Sequence, residues 1–212
     1  LFNSVFRLAK LVKPQAIIIE NVPGIMNLYG GVVKKEILNY CDEMQYSCSN
    51  KILYAPDYGV PQIRKRAFFV MLKKGLEYFK FPNPTHDPNF YIGCNDAIGD
   101  LPPLVNDLGS ENAKYLKPAF SNFQKAMRKK SKKLYNHIGT KHTDHVINVI
   151  SQVPEGGNHK DLPPGVGDSR KFNEAWTRYH SQKPSKTIDT GHRNHFHYKW
   201  NRVPSVRENA RL

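Results

Sequence analysis

Nine residues constrain this chain more than any other stretch: Ala16-Ile17-Ile18-Ile19-Glu20-Asn21-Val22-Pro23-Gly24. Four consecutive apolar residues, three of them β-branched, predict a strand buried on both faces. An acidic residue follows at once, and Pro23-Gly24 breaks the chain straight after. In a parallel α/β sheet, ligands occupy the crevice beyond the carboxyl ends of the strands. Glu20 is therefore placed where a ligand would stand, unless it merely caps a loop.

The flanking sequence has the rhythm of an α/β protein. Residues 1–12 put Leu1, Val5, Leu8, Ala9 and Val12 on one helical face, and Pro14 ends that helix. A second helix is expected from about Val32 to Met44, with Val33, Ile37, Tyr40, Cys41 and Met44 inward. Residues 46–54 alternate weakly and predict a strand. After the turn at Pro56-Asp57-Tyr58-Gly59, an apolar strand is expected over 67–72. Helices and strands in alternation suggest part of an open α/β sheet, with too few strands to complete it.

The texture changes near Phe81. Pro82, Pro84, Pro88, Pro102 and Pro103 interrupt the periodicity and place a domain boundary near residue 80. Beyond it, short helices are expected over 94–101 (capped by Asn95), 119–135 and 142–153, the last with Val146, Val149 and Ile150 inward. Irregular β structure and loops follow over 154–201, where recognition residues tend to lie.

Charge narrows the partners. The 212 residues carry 32 Lys and Arg against 18 Asp and Glu, a net charge of +14. That balance points to a polyanion, most often nucleic acid. The run Arg128-Lys129-Lys130-Ser131-Lys132-Lys133 is either a solvated face or a phosphate-facing patch. No stretch approaches the ~18 apolar residues of a membrane span, so no membrane partner is expected. Three cysteines, Cys41, Cys48 and Cys94, make neither a disulfide framework nor a metal motif, and a reducing cytoplasmic compartment is expected. His192, His195 and His197 lack a Cys or carboxylate at ligand spacing, so no metal is expected.

Two further stretches carry candidate chemistry. In Gly59-Val60-Pro61-Gln62-Ile63-Arg64-Lys65-Arg66, extended backbone puts Gln62, Arg64 and Arg66 on one face, a forked donor array for carbonyl or phosphate oxygens. In Arg202-Val203-Pro204-Ser205-Val206-Arg207-Glu208-Asn209-Ala210-Arg211-Leu212, Ser205 and Glu208 have the spacing of a capping box. They are assigned to structure, not catalysis.

In order, Glu-Asn-Val-Pro-Gly after a strand, Tyr-Gly-Val-Pro-Gln-x-Arg-x-Arg before the next, and the closing Arg-x-x-Ser-Val-Arg-Glu-x-Ala-Arg-Leu resemble the later motifs of the cytosine-C5 DNA methyltransferases. Asp96-Ala97-Ile98-Gly99-Asp100-Leu101-Pro102 and Lys183-Pro184-Ser185-Lys186-Thr187-Ile188 are similar to stretches flanking that family's target-recognition region. The resemblance implies an α/β fold: the C-terminal part of a partial Rossmann-like methyltransferase sheet over 1–80, then a smaller, irregular mixed α+β target-recognition domain over 81–200. Residues 201–212 would begin the return to the catalytic domain.

The same resemblance implies methyl transfer from S-adenosylmethionine to C5 of a cytosine flipped out of duplex DNA, within a bacterial restriction-modification system. Glu20 would face N3 and N4 of the ring in a closed pocket. Arg64 and Arg66 would serve O2, with Arg66 favoured for the direct contact. Asn21 would hold the strand-end turn and Gln62 would support the loop. Site choice would fall to Arg178, Thr187, Thr190, Gly191 and Arg193, with Arg128, Lys129 and Lys130 on phosphates. None of the three cysteines stands in the family's Pro-Cys-Gln motif, and the Gly-rich cofactor loop is missing too. The nucleophile and most of the cofactor site are thus expected from a missing N-terminal half or a complementary subunit, leaving this chain inactive alone and associated with the nucleoid when on DNA. Two alternatives stand beside this one: a non-catalytic DNA-binding module, and a tRNA cytosine methyltransferase.

Overall fold

In the computed structural model, residues 2–168, 170, 174–188 and 194–212 are described. The elements run α1 (Phe2–Val12), β1 (Ala16–Asn21), α2 (Val32–Glu43), β2 (Tyr46–Tyr54), β3 (Lys65–Lys73), α3 (Cys94–Ile98), β4 (Asn112–Ala113), α4 (Asn122–Arg128), β5 (Leu134–Tyr135), α5 (Asp144–Gln152), β6 (Thr177–Arg178), β7 (His195–Phe196) and α6 (Val206–Asn209). The chain divides into two compact units, Leu1–Ala55 with Arg64–Thr85, and Pro56–Ile63 with His86–Leu212. The second is the larger, not the smaller as the sequence suggests. It also keeps the closing segment 201–212.

The first unit is a three-stranded sheet in the order β1-β3-β2. Both pairings are antiparallel, with Ile18 opposite Val70 and Ser49 opposite Val70 on the other side. A parallel arrangement was the expectation. The central position goes to β3, whose Ala67, Phe69 and Met71 are fully buried. They pack with Ile17 and Ile19 of β1, Phe6 and Ala9 of α1, and Val33, Ile37 and Cys41 of α2. Each large apolar side chain removed from water there contributes about 1.5–3 kcal/mol.

Helices cover only one face, which corrects two expectations. β1 is not buried on both sides: Ile17 and Ile19 are inside, whereas Ile18 is 66% exposed. Such one-sided burial is the alternation of an antiparallel strand. On α1 the inward stripe is Phe2, Phe6 and Ala9, with Phe6 stacked on Tyr40 at 4.8 Å. Leu8, Leu11 and Val12 face out. Aromatic contact with α2 set the rotation of the helix, and simple apolar counting could not see it.

The second unit has little regular structure and two apolar clusters. One gathers Cys94, Ala97, Ile98, Leu101, Leu134, Tyr179 and Leu212. The other gathers Val149, Ile150, Val153, Leu162, Phe196 and Val203. Helix boundaries are tighter than the sequence suggests. α4 stops at Arg128, and Ser121 caps it in a capping box with Gln124. α3 is preceded by Gly93, with no side-chain cap. Asn95 instead accepts from the Tyr198 hydroxyl at 2.8 Å. Val146 of α5 is 37% exposed, while Val149 and Ile150 are buried.

Candidate active site

Strand register builds the site. Glu20 lies opposite Phe68, and Arg66 is two residues before Phe68 on β3. Residues two apart on a strand share a face, so Glu20 and Arg66 are diagonal neighbours. The Arg66 Nε donates to Glu20 Oε1 at 2.9 Å, and Arg66 Nη1 donates to the Lys65 carbonyl at 2.7 Å. The Glu20 side chain is 46% exposed, so the closed pocket expected around it is not built by this unit. The carboxylate stands on the face opposite the helices, the face of the exposed Ile18.

Along the edge of β1 runs a cleft of about 660 Å³, lined by Ile18, Glu20, Val22, Leu28 and Tyr29 among others. It is apolar apart from Glu20 and Asn21, and it is one feature the sequence reading did not anticipate. Its only signal there was the run of apolar residues after the Pro-Gly break. Asn21 closes the strand end, its Oδ1 accepting from the Val22 amide at 2.8 Å.

The segment before Arg64 is held within the second unit. The Gln62 side chain donates to the Leu212 carbonyl at 3.2 Å. The Ile63 amide donates to Ser185 O and the Ser185 amide to Pro61 O, both at 2.8 Å. Gly59 has φ +78°, a conformation that favours glycine, and a Cβ there would lie 2.6 Å from the tip of the His86 ring, which would have to shift. Arg64 opens the return to β3, and its carbonyl accepts from the Ala55 amide.

The proposed base readers fare differently. Arg178 is 5% exposed and cannot reach a groove. Its guanidinium donates to the carbonyls of Ile150, Val153 and His197 and to Asn201 Oδ1. It caps the C-terminal end of α5, where unpaired carbonyls and the helix dipole favour a cation. The Thr187 hydroxyl donates to the Ile63 carbonyl at 2.6 Å, so it ties the loop instead of standing ready for a base. Thr190, Gly191 and Arg193 lie outside the described residues. Arg128 is ion-paired to Asp100 and sits over the Tyr115 ring at 3.9 Å, which makes it a strut. Lys129 and Lys130 are exposed.

In the closing motif Arg202, Ser205, Glu208 and Arg211 are buried. Arg202 grips Glu208 with two hydrogen bonds of 2.7 Å, and both are buried. Glu208 completes the capping box of α6, accepting from the Ser205 amide. Burial alone would raise the Glu208 carboxyl; the bonds and charges of Arg202 and its neighbours outweigh that and hold it below the usual carboxylate range. His197 Nδ1 accepts from the amides of Lys199 and Trp200, so the ring is neutral with its proton on Nε2, 3.5 Å from Glu208. Burial pushes His197 down to about 3. Arg211 reaches Asp100 at 2.6 Å, with Asp100 fully buried. Cys94 and Cys41 are buried. Burial pushes the Cys94 thiol up to about 12, and the Cys41 thiol is raised by its hydrogen bond with Cys48 and by burial. Neither carries the thiolate that a nucleophile needs. Among the described residues no metal-binding group of His, Cys, Asp or Glu is present, and no helix is long and apolar enough to cross a membrane.

Comparison with known proteins gives the chain's family and fold. The type II methyltransferase M1.HphI of Haemophilus parahaemolyticus is 34% identical over 216 residues, covering all of this chain and 50% of that protein. The type II methyltransferase M.DdeI of Desulfomicrobium norvegicum is 29% identical over 229 residues, covering all of this chain and 55% of that protein. The chain thus spans about half the length of these relatives. A crystal structure from an E. coli prophage, described as a DNA modification methyltransferase, superimposes with a TM-score of 0.71 at 22% identity, covering 98% of this chain and 61% of that one. That likeness speaks for the fold. The sequence model of the C-5 cytosine-specific DNA methylases matches residues 1–212, and the chain belongs to that family.

Proposed function

We propose that this chain supplies the base-holding half of a DNA cytosine-C5 methyltransferase of a restriction-modification system. The observation that carries the reading is the Glu20–Arg66 pair, a carboxylate and a guanidinium fixed 2.9 Å apart on neighbouring strands. Methylation at C5 requires a nucleophile to add at C6, which loads negative charge onto N3 and O2 of the ring. A carboxyl group facing N3 and the exocyclic amine, with a guanidinium facing O2, stabilises that charge where it develops. Glu20 takes the first role and Arg66 the second, with Arg64 orienting. A flipped cytosine brings both edges to one place, and a carboxyl and a guanidinium that already stand side by side need little reorganisation.

S-adenosylmethionine supplies the methyl group when bound, and it is held mainly by residues outside this chain. The apolar cleft beside β1 offers it wall contacts but no Gly-rich turn. The nucleophilic cysteine comes from the same outside source. Two features suit such a complement: β1 lies at the edge of its sheet, and Leu8, Leu11, Val12 and Ile18 are exposed beside it. An apolar edge strand is a site for strand addition. The partner is double-stranded DNA, in keeping with the +14 charge, and the setting is the bacterial cytoplasm.

The test is Glu20→Gln in the complete enzyme, followed by transfer of labelled methyl groups to duplex DNA. Loss of roughly 10²–10⁴ in rate is expected for removal of a positioned acid. Wild-type rates from that variant would overturn the assignment, as would robust methylation by the 212-residue chain alone.

A further inference from the structure

Within the second unit, residues 112–135 carry a one-sided charge distribution. β4 pairs with β5, Asn112 opposite Tyr135 and Ala113 opposite Leu134, so residues 112–135 form a closed lobe. The lobe carries seven lysines and one arginine and not a single Asp or Glu, against a net charge of +14 for the whole chain. Lys114 and Lys117 lie on the way in. Lys125 is on α4, Lys129 and Lys130 directly follow it, and Lys132 and Lys133 lead to β5. All seven lysines are exposed.

This lobe is not a loose tail. The buried Gln124 side chain donates to the Asn95 carbonyl at 3.0 Å, and the Ser121 hydroxyl donates to the Asp96 carbonyl. Arg128 bonds Asp100 and the Lys117 carbonyl. Asp100 also holds Arg211, so the lobe is pinned to the closing motif through one buried carboxylate. The buried Asp100 is thus consumed internally, by Arg128 and Arg211, which leaves Glu111, just before β4, as the acid bordering the seven lysines in sequence. Like charges fixed on a rigid surface repel and cost stability. A polyanion relieves that cost.

We propose that the lobe 112–135 is a sequence-independent docking surface for the phosphate backbone of duplex DNA, separate from the residues that choose the site. The proposal rests on reading the chain as part of a DNA methyltransferase. Lysine suits the task, being a flexible point charge for phosphate with no fixed fork to read a base edge. Arg128, the one guanidinium here, is withdrawn into the Asp100 contact and is a positioning residue for the lobe.

The experiment is a titration of the 212-residue chain with two unrelated 20-base-pair duplexes at several salt concentrations. The probe is compared with the variant Lys129→Gln, Lys130→Gln, Lys132→Gln, Lys133→Gln, whose thermal unfolding is checked against wild type. Each phosphate contact contributes about 0.9 to the slope of log affinity against log salt, so the variant should lose about 2–3.5 from that slope, equally for both duplexes. Duplex binding by wild type with the slope unchanged in the variant overturns the proposal. So does wild-type failure to bind either duplex, or a variant defect confined to single-stranded RNA or anionic vesicles. The base-holding site is judged separately by Glu20→Gln. If that variant keeps its methyl transfer while the lysine variant loses its salt slope, the site reading fails and the lobe stands. The reverse pattern removes the lobe alone.

Discussion

Two carboxylate–guanidinium pairs in this molecule use the same chemistry at opposite depths. Glu20 and Arg66 meet at 2.9 Å with side chains 46% and 21% exposed. Glu208 and Arg202 meet at 2.7 Å with side chains 1% and 5% exposed. The first pair remains open to solvent, so little of the fold depends on it. The second is bidentate, caps a helix and shares its carboxylate with a backbone amide and a neutral histidine. Depth separates the two pairs, although both fall in family motifs; the capping-box spacing already marked Glu208 as structural.

Breaking the deep pair has the largest expected effect. Arg202→Met leaves Glu208 buried without its cation and should cost about 3–5 kcal/mol in urea unfolding. Adding Glu208→Leu to Arg202→Met should recover part of that loss, because the orphaned charge is then removed. A cost below about 1 kcal/mol for the single variant would place the pair alongside Glu20–Arg66.

Acid sharpens the same contrast. His197 is held neutral in the fold, its folded pKa depressed from 6.5 to about 3 by burial. The unfolded chain therefore binds more protons, and stability present above pH 6.5 is lost as pH falls toward 3. Glu208 is depressed as well, so its contribution is also lost on the acid side. Unfolding should show about 2 kcal/mol less stability at pH 5 than at pH 7, a drop that His197→Gln should flatten.

A smaller effect is expected at the loop ahead of the arginine pair. Thr187→Val removes the bond to the Ile63 carbonyl and should cost about 1 kcal/mol. Faster amide exchange at Ile63, whose N–H bonds Ser185, is its local signature. Smallest of all, Glu20→Gln should change unfolding free energy by no more than about 0.5 kcal/mol, as befits an exposed ion pair. A stability loss of several kcal/mol there would erase the distinction between the two pairs.

Much of this was legible before any coordinates. The strands expected at 16–19, 46–54 and 67–72 form as Ala16–Asn21, Tyr46–Tyr54 and Lys65–Lys73, two of them from apolar runs and the middle one from weak alternation, and the Ser205–Glu208 box follows from a three-residue spacing. The Glu20–Arg66 pairing followed from motif order, not from any local rule. Arg178 misled because an arginine in an aromatic, Gly-rich stretch looks the same whether it reaches outward or caps a helix from within. Its partners at 150, 153, 197 and 201 are supplied by two separate stretches.

By itself, then, the sequence determined where the three long strands and the Ser205 cap form and which residue types meet near Glu20. Those depend on backbone sterics and on side chains a few positions apart. Only the tertiary structure decided that the sheet is antiparallel and covered on one face, that α1 turns its phenylalanines inward, and that Asp100 joins Arg128 to Arg211. Those outcomes depend on contacts across 111 residues in the case of Asp100 and Arg211, where packing and desolvation choose among charges that sequence leaves equivalent.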